Sequence, residues 1–161
     1  MHGRKVLCML LLVGLAAGLV SCGGTDFTAA ERLSDLLARL PSVPAGVMYD
    51  SGVTVFDAAA PLSAELVAAL YARADGFCEY AACVREAAVY LGALGEPYLE
   101  MAVFLCYGSA DTVAVAEMCL RRARLVASLG LVREEDACVT VVGRTVYFYL
   151  SSTPDEIDFL K

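Results

Sequence analysis

The feature that most constrains this chain is an uncharged apolar run over residues 6–20, which directly follows Arg4 and Lys5. A helix that spans a bilayer needs about 20 such residues, so this run is short for a stable span. A basic segment followed by a short apolar segment is typical of a secretory signal peptide. No other stretch of the sequence is long and apolar enough to span, although 59% of the residues are hydrophobic. The sequence therefore excludes a multi-span membrane protein.

The apolar run closes on the tetrapeptide Leu19-Val20-Ser21-Cys22. This tetrapeptide resembles the lipobox of bacterial lipoproteins, in which the cysteine receives a thioether-linked diacylglycerol and the chain is cleaved just before it. The resemblance implies that Cys22 is the lipidation site and the first residue of the mature protein. The alternative is a signal-anchor helix with a chance cysteine, but Gly23 and Gly24 stand where such a helix would carry a basic stop signal.

This interpretation divides the chain into three segments. Residues 1–21 are predicted to be a lipoprotein signal peptide that is removed, residues 22–26 a lipidated tether, and residues 27–161 a single domain. Two acyl chains anchor a protein stably where one is marginal, because each buried methylene contributes about 0.8 kcal/mol. We expect the lipid on Cys22 to hold the protein in the cell membrane, with the domain on the extracytoplasmic face.

Removal of the leader also changes the available chemistry. His2 is the one histidine of the chain and leaves with the leader, which excludes Ser-His-Asp and Cys-His nucleophile systems and histidine-containing zinc sites. The net charge of −7 becomes more negative when Arg4 and Lys5 are removed. Such an acidic chain is a poor candidate for nucleic-acid binding, which depends on neutralising phosphates. We predict no cofactor, no metal site and no nucleic-acid partner.

Five cysteines remain besides the lipidated one, and no C-x-x-C motif is present. An odd number of cysteines outside the cytoplasm leaves at least one free thiol or an intermolecular bond. Buried free thiols that act as small hydrophobes are favoured over a disulfide framework, with a bridge between the first two across a short loop as the alternative. The five are Cys78, Cys83, Cys106, Cys119 and Cys138.

The first half of the domain is predicted to contain two amphipathic helices. Leucines recur at helical spacing over residues 27–40, and Pro41 ends that pattern. Residues 41–61 are linker-like, with a turn or short strand around Asp-Ser-Gly at 50–52. Ser63 is a candidate N-cap for a second helix that runs to about residue 75.

The second half has the pattern of a β-β-α-β-β unit. Apolar runs over 84–94 and 98–107 predict one hairpin, and runs over 137–142 and 145–150 predict another. A helix from about residue 111 to 128 connects them, ends at Gly130, and is predicted to bury a stripe formed by Val113, Ala116, Leu120, Ala123 and Ala127. The predicted fold class is α+β: two N-terminal helices, then this unit, with a four-stranded antiparallel sheet packed against helices on one face.

Several segments of the second half are similar to a family. The segments Glu100–Cys106, 109–112, 116–121 and 146–149 resemble a domain of unknown function found in lipoproteins of Gram-positive anaerobic bacteria. The lipobox and the order of elements agree with this resemblance. It implies anchoring in the outer leaflet of a single cytoplasmic membrane, whereas a Gram-negative host would place the protein in the periplasm. No catalytic role is implied for any residue.

A few side chains are candidates for chemistry. Glu100 interrupts an otherwise apolar strand, so it is either exposed at the end of the sheet or buried with a partner such as Arg121 or Arg85. An ion pair of this kind is favoured over a catalytic acid. Cys106 lies on the same strand face, which suggests a Cys/Glu site, but no nearby cation is evident to lower its pKa.

Two surface features are weaker candidates for binding. The arginines at 121, 122 and 124 form a cluster that is either an anion site or a solvated helix face. The tyrosines at 90, 98, 147 and 149 either line a surface for glycan or peptide or pack in the core.

The leading hypothesis is therefore a membrane-anchored, non-enzymatic lipoprotein that binds or supports an envelope protein partner. The alternative is a cell-envelope hydrolase or a thiol-dependent enzyme that uses carboxylates or Cys106. A pocket converging on Glu100 and Cys106 would favour the enzyme, and a filled sheet–helix interface would favour the binding module. A two-lobed solute receptor is disfavoured because it needs roughly two domains.

Overall fold

The computed structural model describes residues 27–52, 59–93 and 97–153. The predicted signal peptide, the lipidation site at Cys22 and the tether at 22–26 lie outside the described residues. The sequence Ser152-Thr153-Pro154-Asp155 predicts the start of a short terminal helical turn, most of which also lies outside the described residues.

The described part contains four α-helices, six strands and one short 3₁₀ turn. The helices are α1 (Ala29–Leu37), α2 (Ala64–Tyr71), α3 (Tyr80–Cys83) and α4 (Asp111–Ser128), and the 3₁₀ turn is Glu134–Asp136. The strands are β1 (Gly46–Asp50), β2 (Ala60–Pro61), β3 (Val84–Gly92), β4 (Leu99–Cys106), β5 (Ala137–Val142) and β6 (Thr145–Ser151).

The α+β class is confirmed, but the sheet is larger than predicted. All six strands form one mixed sheet in the order β2-β1-β3-β4-β6-β5. The predicted four-stranded antiparallel unit is its β3-β4-β6-β5 part. The prediction of four strands was wrong because, in a four-stranded sheet of this order, β3 would be an edge strand with one side unpaired. β1, from the linker-like stretch, pairs antiparallel with that edge, and β2 then pairs parallel with β1.

The sheet carries helices on both faces, and not on one as predicted. Alternate residues of β4 point to opposite sides: Ala102 and Phe104 pack in a core cluster with α2 and α4, and Met101 and Val103 pack in a second cluster with α1. Because every residue of β4 is buried, a single layer of helices could not cover the strand. The Thr28 side chain caps α1 in a capping box with Glu31.

Two caps agree with the sequence, but the buried face of α4 does not. Ser63 caps α2 through the backbone N–H of Leu66, and Gly130 ends the long helix with a φ of 74°. The predicted stripe on α4 was wrong at Val113 and Leu120, which are 67% and 42% exposed, whereas Ala123 is buried and Ala116 and Ala127 pack against the core. The buried residues are Thr112, Val115, Met118, Cys119, Ala123 and Val126.

Candidate functional site

Glu100 is fully buried near the start of β4 and is surrounded by hydrogen-bond donors. The Arg122 guanidinium binds the carboxylate in a forked geometry, with Nε 3.0 Å and Nη2 2.9 Å from Oε2. The Tyr98 hydroxyl donates to Oε2 at 2.6 Å, and the Tyr71 hydroxyl donates to Oε1 at 2.8 Å. We call these four residues the glutamate cluster. Both carboxylate oxygens therefore have charge-assisted hydrogen bonds.

The surroundings keep the partners of Glu100 in fixed protonation states. Burial and the negative charge of Glu100 raise the pKa of the Tyr71 and Tyr98 hydroxyls, so both remain protonated donors. Burial by itself lowers the pKa of the Arg122 guanidinium, but the charge of Glu100 and its hydrogen bond outweigh burial and raise it. The Tyr71 ring also packs edge-on against Phe104, with centroids 5.5 Å apart. The cluster is thus held by packing as well as by charge.

Glu100 was predicted to be either exposed at the end of the sheet or buried in an ion pair. The structure shows the buried ion pair, but with a different arginine from those named. Arg122 is the partner, and neither of the two arginines named from the sequence contacts Glu100. Arg122 follows the buried stripe of α4, three residues after Cys119 and four before Val126, so it points toward the sheet. The partner was predicted wrongly because the wrong face of α4 was predicted to point toward the sheet.

A second buried carboxylate, Glu79, was not predicted from the sequence. Its Oε2 accepts from Arg121 Nη2 at 2.6 Å and its Oε1 accepts from Arg73 Nε at 2.9 Å. Burial raises the pKa of the Glu79 carboxyl, but the hydrogen bonds from the two arginines outweigh burial and lower it. Arg121 also donates to the Tyr71 carbonyl at 3.3 Å, which joins this pair to the glutamate cluster. The six-residue separation of Arg73 and Glu79 gives no periodic signal in the sequence.

The structure does not bring Cys106 and Glu100 together. Cys106 ends β4, six residues after Glu100, and a strand rises about 3.3 Å per residue, so they lie roughly 20 Å apart. Cys106 is buried, and burial together with the charge of Asp111 raises the pKa of its thiol to about 11. The thiol is therefore protonated at neutral pH and is a poor nucleophile.

All five cysteines of the described region are free thiols. Cys106 and Cys119 are buried, and the other three are partly buried. Cys78 contacts Met118 with its sulfur 3.9 Å from the Met118 sulfur. The cysteines are therefore free thiols that pack as small hydrophobic side chains, as favoured from the sequence, and Cys78 and Cys83 do not form a bridge.

The candidate tyrosines are mainly core residues. Tyr149 is fully buried and Tyr90 is 8% exposed, and both pack against the α1 side of the sheet. Tyr98 belongs to the glutamate cluster. Tyr147 is half-buried and accepts a hydrogen bond from Arg32 Nη1 at 3.2 Å. The four tyrosines therefore do not form a binding surface.

Two cavities lie at opposite ends of β4. The larger, of about 470 Å³, is beside the glutamate cluster and is lined mainly by apolar residues with Tyr98 and Arg122 at its edge. The smaller, of about 190 Å³, is at the Cys106 end and is predominantly polar. We call the smaller cavity the arginine pocket. Its lining residues are Phe27, Arg32, Arg85, Leu105, Cys106, Arg144 and Thr145.

Comparison of the chain with protein-family models, with curated proteins and with solved structures gives no match. Over residues 27–52, 59–93 and 97–153, no helix is long and apolar enough to cross a membrane. The same residues contain no group of three or more histidine, cysteine or acidic side chains placed to hold a metal ion.

Proposed function

We propose that this protein is an extracytoplasmic lipoprotein, anchored through lipid on Cys22, whose α+β domain is a non-enzymatic module that binds or supports an envelope component. The resemblance to a lipoprotein domain of unknown function belongs to the same proposal. Anchoring is supported by the signal-peptide layout and the lipobox-like tetrapeptide that ends at Cys22.

One observation supports a binding module over an enzyme. Glu100 and Cys106, the two candidates for catalysis, are both buried between the sheet and α4, and they lie at opposite ends of β4. The carboxylate of Glu100 is bonded by Arg122 and two tyrosine hydroxyls. A general acid must reach the proton acceptor on its substrate within hydrogen-bonding distance, and the buried position of Glu100 offers no such approach.

The second candidate function is an envelope enzyme that uses the thiol of Cys106. It is favoured by one observation, that Cys106 lines the arginine pocket, where cations could lower the pKa of a thiol. The raised pKa of Cys106 argues against it. Native protein treated with iodoacetamide at pH 7.5 distinguishes the two: a binding module leaves Cys106 unlabelled, as buried Cys119 also is, whereas an enzyme shows selective labelling of Cys106.

The anchor is tested by labelling cells with radioactive palmitate and comparing the parent with Cys22→Ala. The parent is expected to carry the label and to sediment with membranes, and Cys22→Ala to lose both properties. Cys8→Ala is the matched control, because Cys8 lies within the apolar run and leaves with the leader under this proposal. Equal label in the parent and Cys22→Ala would overturn the anchor.

A further inference from the structure

The arginine pocket brings together three cationic side chains that are far apart in the sequence. Arg32 comes from α1, Arg85 from the start of β3, and Arg144 from the turn between β5 and β6. A register shift in the β3–β4 pairing falls between Val84 and Glu86, so the irregularity in β3 is at Arg85. Three separate elements thus supply one cation each to a single cavity.

None of these cations forms an ion pair with a carboxylate in the described part of the chain. Within the described ranges, every ion pair involves Arg73, Arg121, Arg122 or Arg133, and none involves an arginine of the pocket. The chain has 19 acidic residues against 12 basic ones, so carboxylates are abundant. Like charges that converge on one cavity repel each other. This arrangement is stabilised when an anion occupies the cavity.

The pocket is partly preorganised. Arg32 is held by hydrogen bonds from its Nε to the Phe27 carbonyl at 3.3 Å and from its Nη1 to Tyr147. Arg144 donates from Nη1 to the Tyr107 carbonyl at 3.5 Å. Each guanidinium keeps further N–H donors for a ligand, because arginine presents a fork of several donors.

The size and charge of the pocket select the ligand. Pockets for whole organic ligands are about 300 Å³ or larger, and this one measures about 190 Å³, which suits a single anionic group. A carboxylate has one negative charge and two oxygens, whereas a phosphate group carries up to two charges and three strong acceptor oxygens. We propose that the arginine pocket binds a phosphate group through Arg32, Arg85 and Arg144.

The phosphate has two chemical sources, a soluble phosphate and a lipid headgroup. Phe27 lines the pocket and lies five residues after Cys22, a distance that an extended chain covers in at most about 18 Å. If the lipid anchor of the proposed function is present, the pocket lies within reach of the headgroups of the membrane. Phosphate binding itself does not depend on that anchor.

The test is isothermal titration calorimetry of the full-length protein in nonionic detergent, at constant ionic strength. The probes are inorganic phosphate and glycerol 3-phosphate, a phosphate monoester that is the headgroup of phosphatidic acid without its acyl chains. We expect saturable binding of at least one probe, tighter for glycerol 3-phosphate if the source is lipid and tighter for inorganic phosphate if it is soluble. No saturable binding of either probe would overturn the inference, whether or not Cys22 is lipidated.

Arg85→Gln is the diagnostic variant, because Arg85 makes no hydrogen bond or ion pair within the described chain, so we expect its loss to leave the fold intact. Loss of one charge-assisted contact is expected to weaken binding about tenfold to a hundredfold. Arg39→Gln is the matched control, since Arg39 is an exposed arginine just beyond α1 and outside the pocket. Equal affinity in Arg85→Gln and the parent, or equal weakening in Arg39→Gln, would contradict the assignment.

Discussion

The two ends of β4 show opposite uses of arginine. At the start of the strand, Arg122 is 13% exposed and is bonded to the fully buried Glu100. At the other end, Arg85 and Arg144 are exposed and line a cavity with Arg32, without a carboxylate partner in the described part of the chain. At one end the arginine is neutralised by a buried carboxylate, and at the other the arginines form no ion pair within the described part of the chain.

The glutamate cluster is expected to contribute to stability, and the arginine pocket to binding. Removing one partner from a buried ion pair leaves a buried charge, so the glutamate cluster should be essential for folding. Removing one of several exposed like charges relieves repulsion, so the arginine pocket should be nearly neutral for folding.

The largest effect is expected for Arg122→Met, which keeps an apolar stem but leaves the Glu100 carboxylate buried without its cation. The free energy of unfolding should fall by about 3–5 kcal/mol, as measured by urea denaturation followed by circular dichroism. Arg124→Met is the matched control on α4, because Arg124 is exposed, and it should change stability by less than about 0.5 kcal/mol.

A second variant keeps this prediction informative if Arg122→Met does not fold. The double variant Glu100→Gln/Arg122→Met removes both charges and should recover a large part of the lost stability. A loss of less than about 1 kcal/mol in Arg122→Met would show that the cluster is solvated and that the two ends of β4 do not differ as described.

The next largest loss of stability is expected when one tyrosine hydroxyl is removed in each region. Tyr71→Phe removes a donor to Glu100 and keeps the ring that packs on Phe104, so stability should fall by about 1.5–3 kcal/mol. Tyr147→Phe removes the hydroxyl that accepts from Arg32 at the half-buried end, and its cost should be below about 1 kcal/mol. If thermal and urea unfolding showed the same loss of stability for both variants, the two ends of β4 would not differ in their contribution to stability.

Local patterns in the sequence predicted the secondary structure well. Strand and helix periodicities located the β3-β4-α4-β5-β6 unit almost to its ends, and Ser63 and Gly130 act as caps. These features depend on neighbours within a few residues. The rotation of α4 could not be obtained in this way, because more than one of its stripes is apolar.

The candidate sites depend on contacts between distant residues. The arginine pocket combines Arg32 with Arg85 and Arg144, which are 53 and 112 residues further along the chain. No spacing rule links such positions. The pairing of β1 with the edge of β3 was missed for the same reason, since it depends on an unpaired strand edge and not on a pattern in residues 46–50. The burial of Glu100 was therefore predicted from the sequence as one alternative, but neither its partner Arg122 nor the arginine pocket was predicted.

A smaller effect is expected for pH at the Glu79 pair, where Arg73 is half exposed and solvent screens the charge. The pKa of Glu79 is lowered in the folded state, so the unfolded state takes up the proton first as the pH falls. The pair therefore contributes its full stability above the ordinary glutamate range and loses it as the pH drops below about 4.5. Urea unfolding of the parent and Glu79→Gln between pH 7 and pH 3 should show a difference that shrinks with acid. A difference that stays constant would contradict the ion pair.

The smallest effect on stability is expected for Arg85→Gln, and it sharpens the contrast most. Without phosphate, its free energy of unfolding should lie within about 0.5 kcal/mol of the parent, because no contact is lost and repulsion in the pocket decreases. Addition of phosphate should raise the unfolding temperature of the parent by mass action and raise that of Arg85→Gln less, while Arg122→Met, if folded, should respond like the parent. Differential scanning calorimetry at fixed ionic strength measures all three proteins. A large loss of stability in phosphate-free Arg85→Gln would mean that this arginine is structural like Arg122, and the two ends of β4 would then be the same kind of site.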